Sequence, residues 1–102
     1  MTVIRLDVHE DADRELKDAA DYYDHESPGL GSVFIDEVER AYGRIRSSPL
    51  AAEEVDPGIR RLVLARFPYN LIYEIDETSA PVLAVAHQRK RPYYWCSRGR
   101  VG

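Results

Sequence analysis

Positive charge and aromatic rings are concentrated near the end of this chain, in His87-Gln88-Arg89-Lys90-Arg91-Pro92-Tyr93-Tyr94-Trp95. Arginine grips phosphate or carboxylate oxygens through a planar fork and can stabilise charge that develops in a transition state. An imidazole among cations is favoured in the neutral form that accepts a proton. Tyr93, Tyr94 and Trp95 offer faces on which bases stack. The segment therefore suits RNA cleavage by an internal 2′-hydroxyl. In that chemistry His87 serves as base or acid, Arg89 or Arg91 as the clamp, and Tyr94 as a second proton donor or stacker. It also suits a non-catalytic interface, with Arg89, Lys90, Arg91 and Trp95 as anchors. A third reading is structural: snorkelling arginines and an aromatic plug on the core. If the apolar run over residues 82–86 continues as a strand, His87, Arg89 and Arg91 share one of its sides.

Arg60 and Arg61 form a second cationic group. They open a strand and point to opposite faces, so only one can join a given site. Arg60 shares its face with Leu62 and Leu64, and Arg61 shares its face with Val63. Arg66, beside Pro68, reads as a solvated edge. His9, Glu10, Asp11 and Asp13 have the composition of a metal cluster, but they lie where acids cap a helix, so no metal is expected. Gly29-Leu30-Gly31 follows no strand and is no phosphate loop. No cofactor is expected. Cys96 is the single cysteine, which excludes an internal disulfide and fits a reducing cytosol.

The rest of the chain is acidic. Residues 1–57 hold 6 Lys and Arg against 15 Asp and Glu, a balance of −9. Residues 58–102 hold 8 against 3, a balance of +5, for a net charge of −4 over the 102 residues. Such asymmetry points to an anionic partner for the basic half. The length fits one domain with a core adequate for independent folding. The longest apolar run, residues 82–86, is too short to span a membrane. The first residues show neither a basic nor an apolar leader region, so a cytoplasmic location is expected.

The elements that must carry these residues follow from periodicity. A short strand is expected over residues 3–8 and a helix over 11–25, with Ala12, Leu16, Ala19, Ala20 and Tyr23 on one stripe. Acidic residues crowd the first turns of that helix, at the positive end of its dipole. Ser27-Pro28 is expected to open a second helix, with Phe34, Val38, Ala41 and Ile45 as its stripe and Pro49 as its stop. A loop over 49–58 ends in Asp-Pro-Gly. Strands are expected over 59–65, 69–75 and 82–87. Helices set apart from a run of strands with short connections give a two-layer α+β fold. The tail from about residue 97 is expected to fray.

Three stretches together resemble the ParE/RelE superfamily of type II toxin–antitoxin toxins, over roughly residues 3–95. Glu15-Leu-Lys-Asp-Ala-Ala-Asp-Tyr-Tyr23, with residues 28–37, resembles the family's helical hairpin. Arg60-Arg61 with Phe67-Pro-Tyr-Asn-Leu-Ile-Tyr73 resembles its central β-hairpin. Residues 85–95 resemble its closing strand and tail. The resemblance implies a β-α-α-β-β-β order in which the first strand joins the edge formed by the last. It implies a cognate antitoxin that wraps the toxin. It implies one of two targets: DNA gyrase for ParE-like members, or mRNA in the ribosomal A site for RelE-like endoribonucleases. The matching site positions are Arg60 or Arg61, then His87, Arg89, Arg91 and Tyr94. The only lysines are Lys17 and Lys90, and arginine does not replace lysine in proton transfer. The sequence therefore sits closer to the ParE-like side, often called plasmid stabilisation proteins.

Overall fold

The computed structural model describes residues 4–99. Strand β1 (Arg5–Val8) leads into helices α1 (Glu10–Glu26) and α2 (Leu30–Ser47). Strands β2 (Glu53–Asp56), β3 (Ile59–Val63), β4 (Tyr69–Glu74) and β5 (Ser79–His87) follow, and a 3-10 turn (Cys96–Arg98) ends the described chain. The sheet has five strands in the order β1-β5-β4-β3-β2. Only the β1–β5 pair is parallel; the other pairs are antiparallel. The expected α+β architecture holds, and β1 joins the edge of the last strand as expected. Residue 3, expected to open β1, lies outside the described residues. Among those residues, no helix is long and apolar enough to cross a membrane.

Each helix forms for local reasons. His9 caps α1: its Nδ1 accepts the Asp11 amide at 3.0 Å, and Glu10, Asp11 and Asp13 fill the first turn. Ala12, Leu16, Ala19 and Ala20 turn the buried stripe inward. Ser27 and Pro28 do not open α2. Ser27 closes α1 through its amide to the Tyr23 carbonyl, and Gly29, at φ 90°, caps α2 before Leu30. That left-handed backbone is open to glycine at little cost. Phe34, Val38, Ala41, Tyr42 and Ile45 then form the inner face of α2.

The helical hairpin covers one face of the sheet. Phe34, Leu71, Tyr73, Val82 and Val85 are almost fully buried between the layers. Tyr23, Phe34, Phe67 and Tyr69 pack edge-on or tilted, with ring centres 4.9–5.4 Å apart in the tightest pairs. The alternation along β5 breaks once. Ile72 pairs with Ala84 and Tyr73 with Val82, so Leu83 is an extra residue, a β-bulge. Val82 and Val85 face the helices, whereas Leu83, Ala84 and Ala86 face the opposite side. There they meet Ile72 and Trp95 from the tail. The apolar run of residues 82–86 is thus buried on both faces.

Strand β2 was not expected; its residues fell in the loop assigned to 49–58. Glu53-Glu54-Val55-Asp56 lacks an apolar alternation, so periodicity cannot detect it. Charge and capping hold it. Arg61 pairs with Glu53 at 2.6 Å, and the Gly58 amide donates to Glu54 Oε2 at 3.0 Å. The tail, expected to fray from about residue 97, holds a 3-10 turn over Cys96–Arg98; residues 100–102 of that expectation lie outside the described residues.

Two glycines of α2 test the hairpin packing. A Cβ on Gly31 would lie 2.4 Å from the Ala20 carbonyl oxygen and 2.7 Å from the Asp24 carboxylate. A Cβ on Gly43 would meet nothing within 4 Å. Gly43→Ala should therefore raise unfolding stability by roughly 0.5–1 kcal/mol through helix propensity. Gly31→Ala should lower it by about 1–3 kcal/mol, because backbone cannot move aside as a side chain can. Chemical denaturation of both variants checks the pair; equal stabilisation by both would contradict the close approach.

Candidate functional site

The cationic segment begins where β5 stops. The Gln88 amide donates to the Pro68 carbonyl at 2.8 Å, and the Lys90 amide turns back to the His87 carbonyl at 2.9 Å. The expected strand face of His87, Arg89 and Arg91 therefore does not exist: the strand ends at His87, and Arg89 and Arg91 lie on the following turn. Arg89, Lys90 and Arg91 are all exposed and form no ion pair among the described residues. They project as a compact patch of positive charge.

His87 is half-buried at the end of the sheet, its ring edge-on to Tyr69 at 5.0 Å between centres. Its Nδ1 accepts the Arg89 amide at 3.0 Å. A small cavity of about 160 Å³ beside it is lined by Arg61, Asn70, Gln88, Arg91 and Tyr93. On the helix side, Glu15, Asp18, Tyr22, Tyr69, Lys90 and Tyr94 line a second, more open cleft that also includes His87.

The tail is fastened from behind. The Tyr94 hydroxyl donates to Glu15 Oε2 at 2.7 Å, and Arg98 donates to Glu15 Oε1 at 2.9 Å. Lys90 and Arg98 each lie 5.1 Å from the centre of the Tyr94 ring. Burial, and then the Glu15 carboxylate, push the Tyr94 phenol well above its ordinary value, with Arg98 opposing weakly. A phenol so raised is a poor proton donor near neutral pH. Trp95 is only 5% exposed and packs on Ile72, Leu83, Ala84 and Ala86, which makes it an aromatic plug on the sheet.

The strand arginines are committed as well. Arg60 donates to the carbonyls of Leu50 at 3.2 Å and Ala52 at 2.7 Å, beside the Tyr73 hydroxyl that donates to Pro49 at 2.6 Å. Arg60 thus pins the segment after α2. Arg61 lies on the tail side, paired with Glu53, with its Nε buried and unpartnered. Among the described residues no group of three His, Cys, Asp or Glu could hold a metal ion.

The sequence profile of the ParE toxin of the type II toxin–antitoxin system, parDE, matches residues 6–92. The chain belongs to the ParE toxin family. A solved structure from the chromosomal ParDE toxin–antitoxin system of P. aeruginosa shares the fold of this ParE-family toxin, with a TM-score of 0.74. At 17% identity, the match covers 83% of this chain and 96% of that one. Nothing matches among the curated proteins.

In this ParE-family chain, then, the exposed turn brings together Arg89, Lys90 and Arg91. His87 adjoins them, Tyr94 and Trp95 lie behind them, and Arg60 serves the sheet elsewhere. Two residues that organise the site, Glu15 and Arg98, were missed. Glu15 left one signal: a carboxylate inside the apolar stripe, three residues after Ala12 and four before Ala19.

The phenols of Tyr94 and Tyr42 generate a pH prediction. Burial is the first cause in both, and both are raised in the folded state above the ordinary value of 10.0. The folded state therefore holds these protons more tightly than the unfolded one. The stability they contribute is fully present below pH 10.0 and is lost as pH rises further. Unfolding stability measured from pH 8 upward should fall above about pH 10, and less steeply in Tyr94→Phe. An identical slope in wild type and Tyr94→Phe would contradict the burial of that hydroxyl.

Proposed function

We propose that this toxin arrests growth by binding DNA gyrase through the cationic turn at residues 88–91, and that a cognate antitoxin neutralises it. One observation carries this reading. Arg89, Lys90 and Arg91 are exposed and form no ion pair among the described residues, while the groups a nuclease needs are engaged within the protein. Tyr94 is tied to Glu15, Arg61 to Glu53, and Arg60 to backbone carbonyls. An unpaired basic patch steers association with an acidic protein surface and sets its register. The antitoxin's docking surface on this reading is the helical hairpin, where Tyr22 is 58% and Ile35 36% exposed.

The competing reading is a RelE-like ribosome-dependent mRNA endoribonuclease. It is favoured by Arg61, His87 and Arg91 lining one cavity. The net charge of −4 and the lack of a second lysine near that cavity weigh against it.

Induced expression with parallel readouts of translation and of DNA damage separates the two. On the gyrase reading, DNA breaks and loss of supercoiling precede any fall in translation. Arg89→Ala and Arg91→Ala should relieve growth arrest with the circular dichroism spectrum unchanged, whereas His87→Gln should change potency only a few-fold. On the nuclease reading, His87→Gln should lower activity by roughly a hundredfold or more, as loss of a general base does. Full toxicity of both Arg91→Ala and His87→Gln would remove the turn from either mechanism.

A further inference from the structure

The Glu15 carboxylate receives donors from three distant points of the chain. These are the Val85 amide at 3.1 Å, the Tyr94 hydroxyl at 2.7 Å and the Arg98 guanidinium at 2.9 Å. They lie 70, 79 and 83 residues away in sequence. Arg98 extends the junction: it donates to the Leu83 carbonyl at 3.1 Å and lies 3.7 Å from Asp11. Its side chain is only 16% exposed. We propose that Glu15 is a positioning residue: its carboxylate seats the C-terminal tail and so fixes the cationic turn at residues 88–91.

The side-chain polar contact of Tyr93 is weaker. Tyr93 sits at φ 63°, a left-handed conformation that a tyrosine adopts only when its surroundings impose it. Its hydroxyl reaches the Val55 carbonyl at the long distance of 3.5 Å. The local sequence therefore does not favour the turn by itself; tertiary contacts hold it. Besides the apolar seat of Trp95, the shortest of these contacts among the described residues converge on the Glu15 carboxylate, and Arg98 adds the Leu83 carbonyl and Asp11. Between the strand end at His87 and the junction at Tyr94 and Arg98, the segment carrying Arg89, Lys90 and Arg91 is anchored at both ends. A released tail keeps its charges but loses their arrangement, and reordering it on a target costs conformational entropy. The functional half of this proposal rests on the gyrase-binding reading.

The single tryptophan reports the seat of the tail directly. Glu15→Gln keeps the size of the side chain but turns one acceptor oxygen into a donor and leaves Arg98, among the described residues, only the more distant Asp11 carboxylate at 3.7 Å. Loss of one charge-assisted hydrogen bond should raise the unseated fraction by about tenfold or more. Iodide quenching of Trp95 should rise in Glu15→Gln and in Arg98→Gln, with the far-ultraviolet circular dichroism unchanged. Arg98→Lys, which keeps a charge for Glu15, should restore part of the shielding. The double variant Glu15→Gln with Arg98→Gln should be quenched by less than the two single effects combined, since both act through one junction. Lys17→Ala, an exposed change on the same helix, is the control and should match wild type. If Glu15→Gln fails to fold, the two Arg98 variants decide.

In cells where wild type arrests growth, the unseated variants should lose that arrest. Trp95 as shielded in Glu15→Gln and Arg98→Gln as in wild type would overturn the proposal, and so would full arrest by a variant whose tail is unseated. Absence of any gyrase effect in wild type would sink the gyrase reading instead, and the quenching would still decide whether Glu15 seats the tail.

Discussion

Strand β5 is longer than the neighbour it pairs with on one side, and much of the molecule follows from that mismatch. β1 has four residues and β5 has nine, with Val8 opposite Val82 as the last paired position. Beyond it, backbone groups of a buried strand have no strand to bond. A buried unpaired amide or carbonyl is costly, so other groups must serve it. The chain meets the need with side chains. Glu15, projecting from α1, accepts the Val85 amide, and Arg98, from the tail, donates to the carbonyl of Leu83, the bulge residue. Because these two side chains also bond each other, the strand edge and the tail are secured by one junction.

The same arrangement decides which cations are available. The helices cover one face of the sheet and the tail covers much of the other, through Trp95. Arginines that start on the strands are drawn into holding backbone or acidic partners, as Arg60 and Arg61 are. Those on the turn after β5 are not. An excess of positive charge in the second half of the sequence thus becomes a local patch of three residues, presented on a tethered turn. A tethered patch loses less entropy on binding than a loose one, which is why the fastening of the tail bears on function.

Much of this was legible in the sequence. The two helical stripes, the three later strands and the two-layer order followed from apolar periodicity and breakers, and the family resemblance supplied the place of β1 at the edge formed by the last strand. The rest depended on contacts that local patterns do not encode. β2 is a charged strand that Arg61 and Glu53 hold in place, so it lacks an alternating signature. Ser27-Pro28 matches a helix start, yet Gly29 supplies the cap, because α1 runs on to Glu26 and uses the Ser27 amide to close its last turn. Alternation was extended past His87, but a hydrogen-bonded turn ends the strand there. The expectation of fraying followed from the general looseness of chain termini; Arg98 is instead bound by a carboxylate on the first helix. No periodicity connects positions 83 residues apart.

The central claim is that a side chain completes the edge of β5. Amide hydrogen exchange at Val85, resolved by NMR, tests it most directly. If Glu15 serves that amide, Val85 exchanges as slowly as Leu71 in the sheet interior, although β1 ends before it and no strand pairs with it on that edge. Exchange of Val85 at the rate of an exposed loop amide, with Leu71 fully protected, would contradict the account.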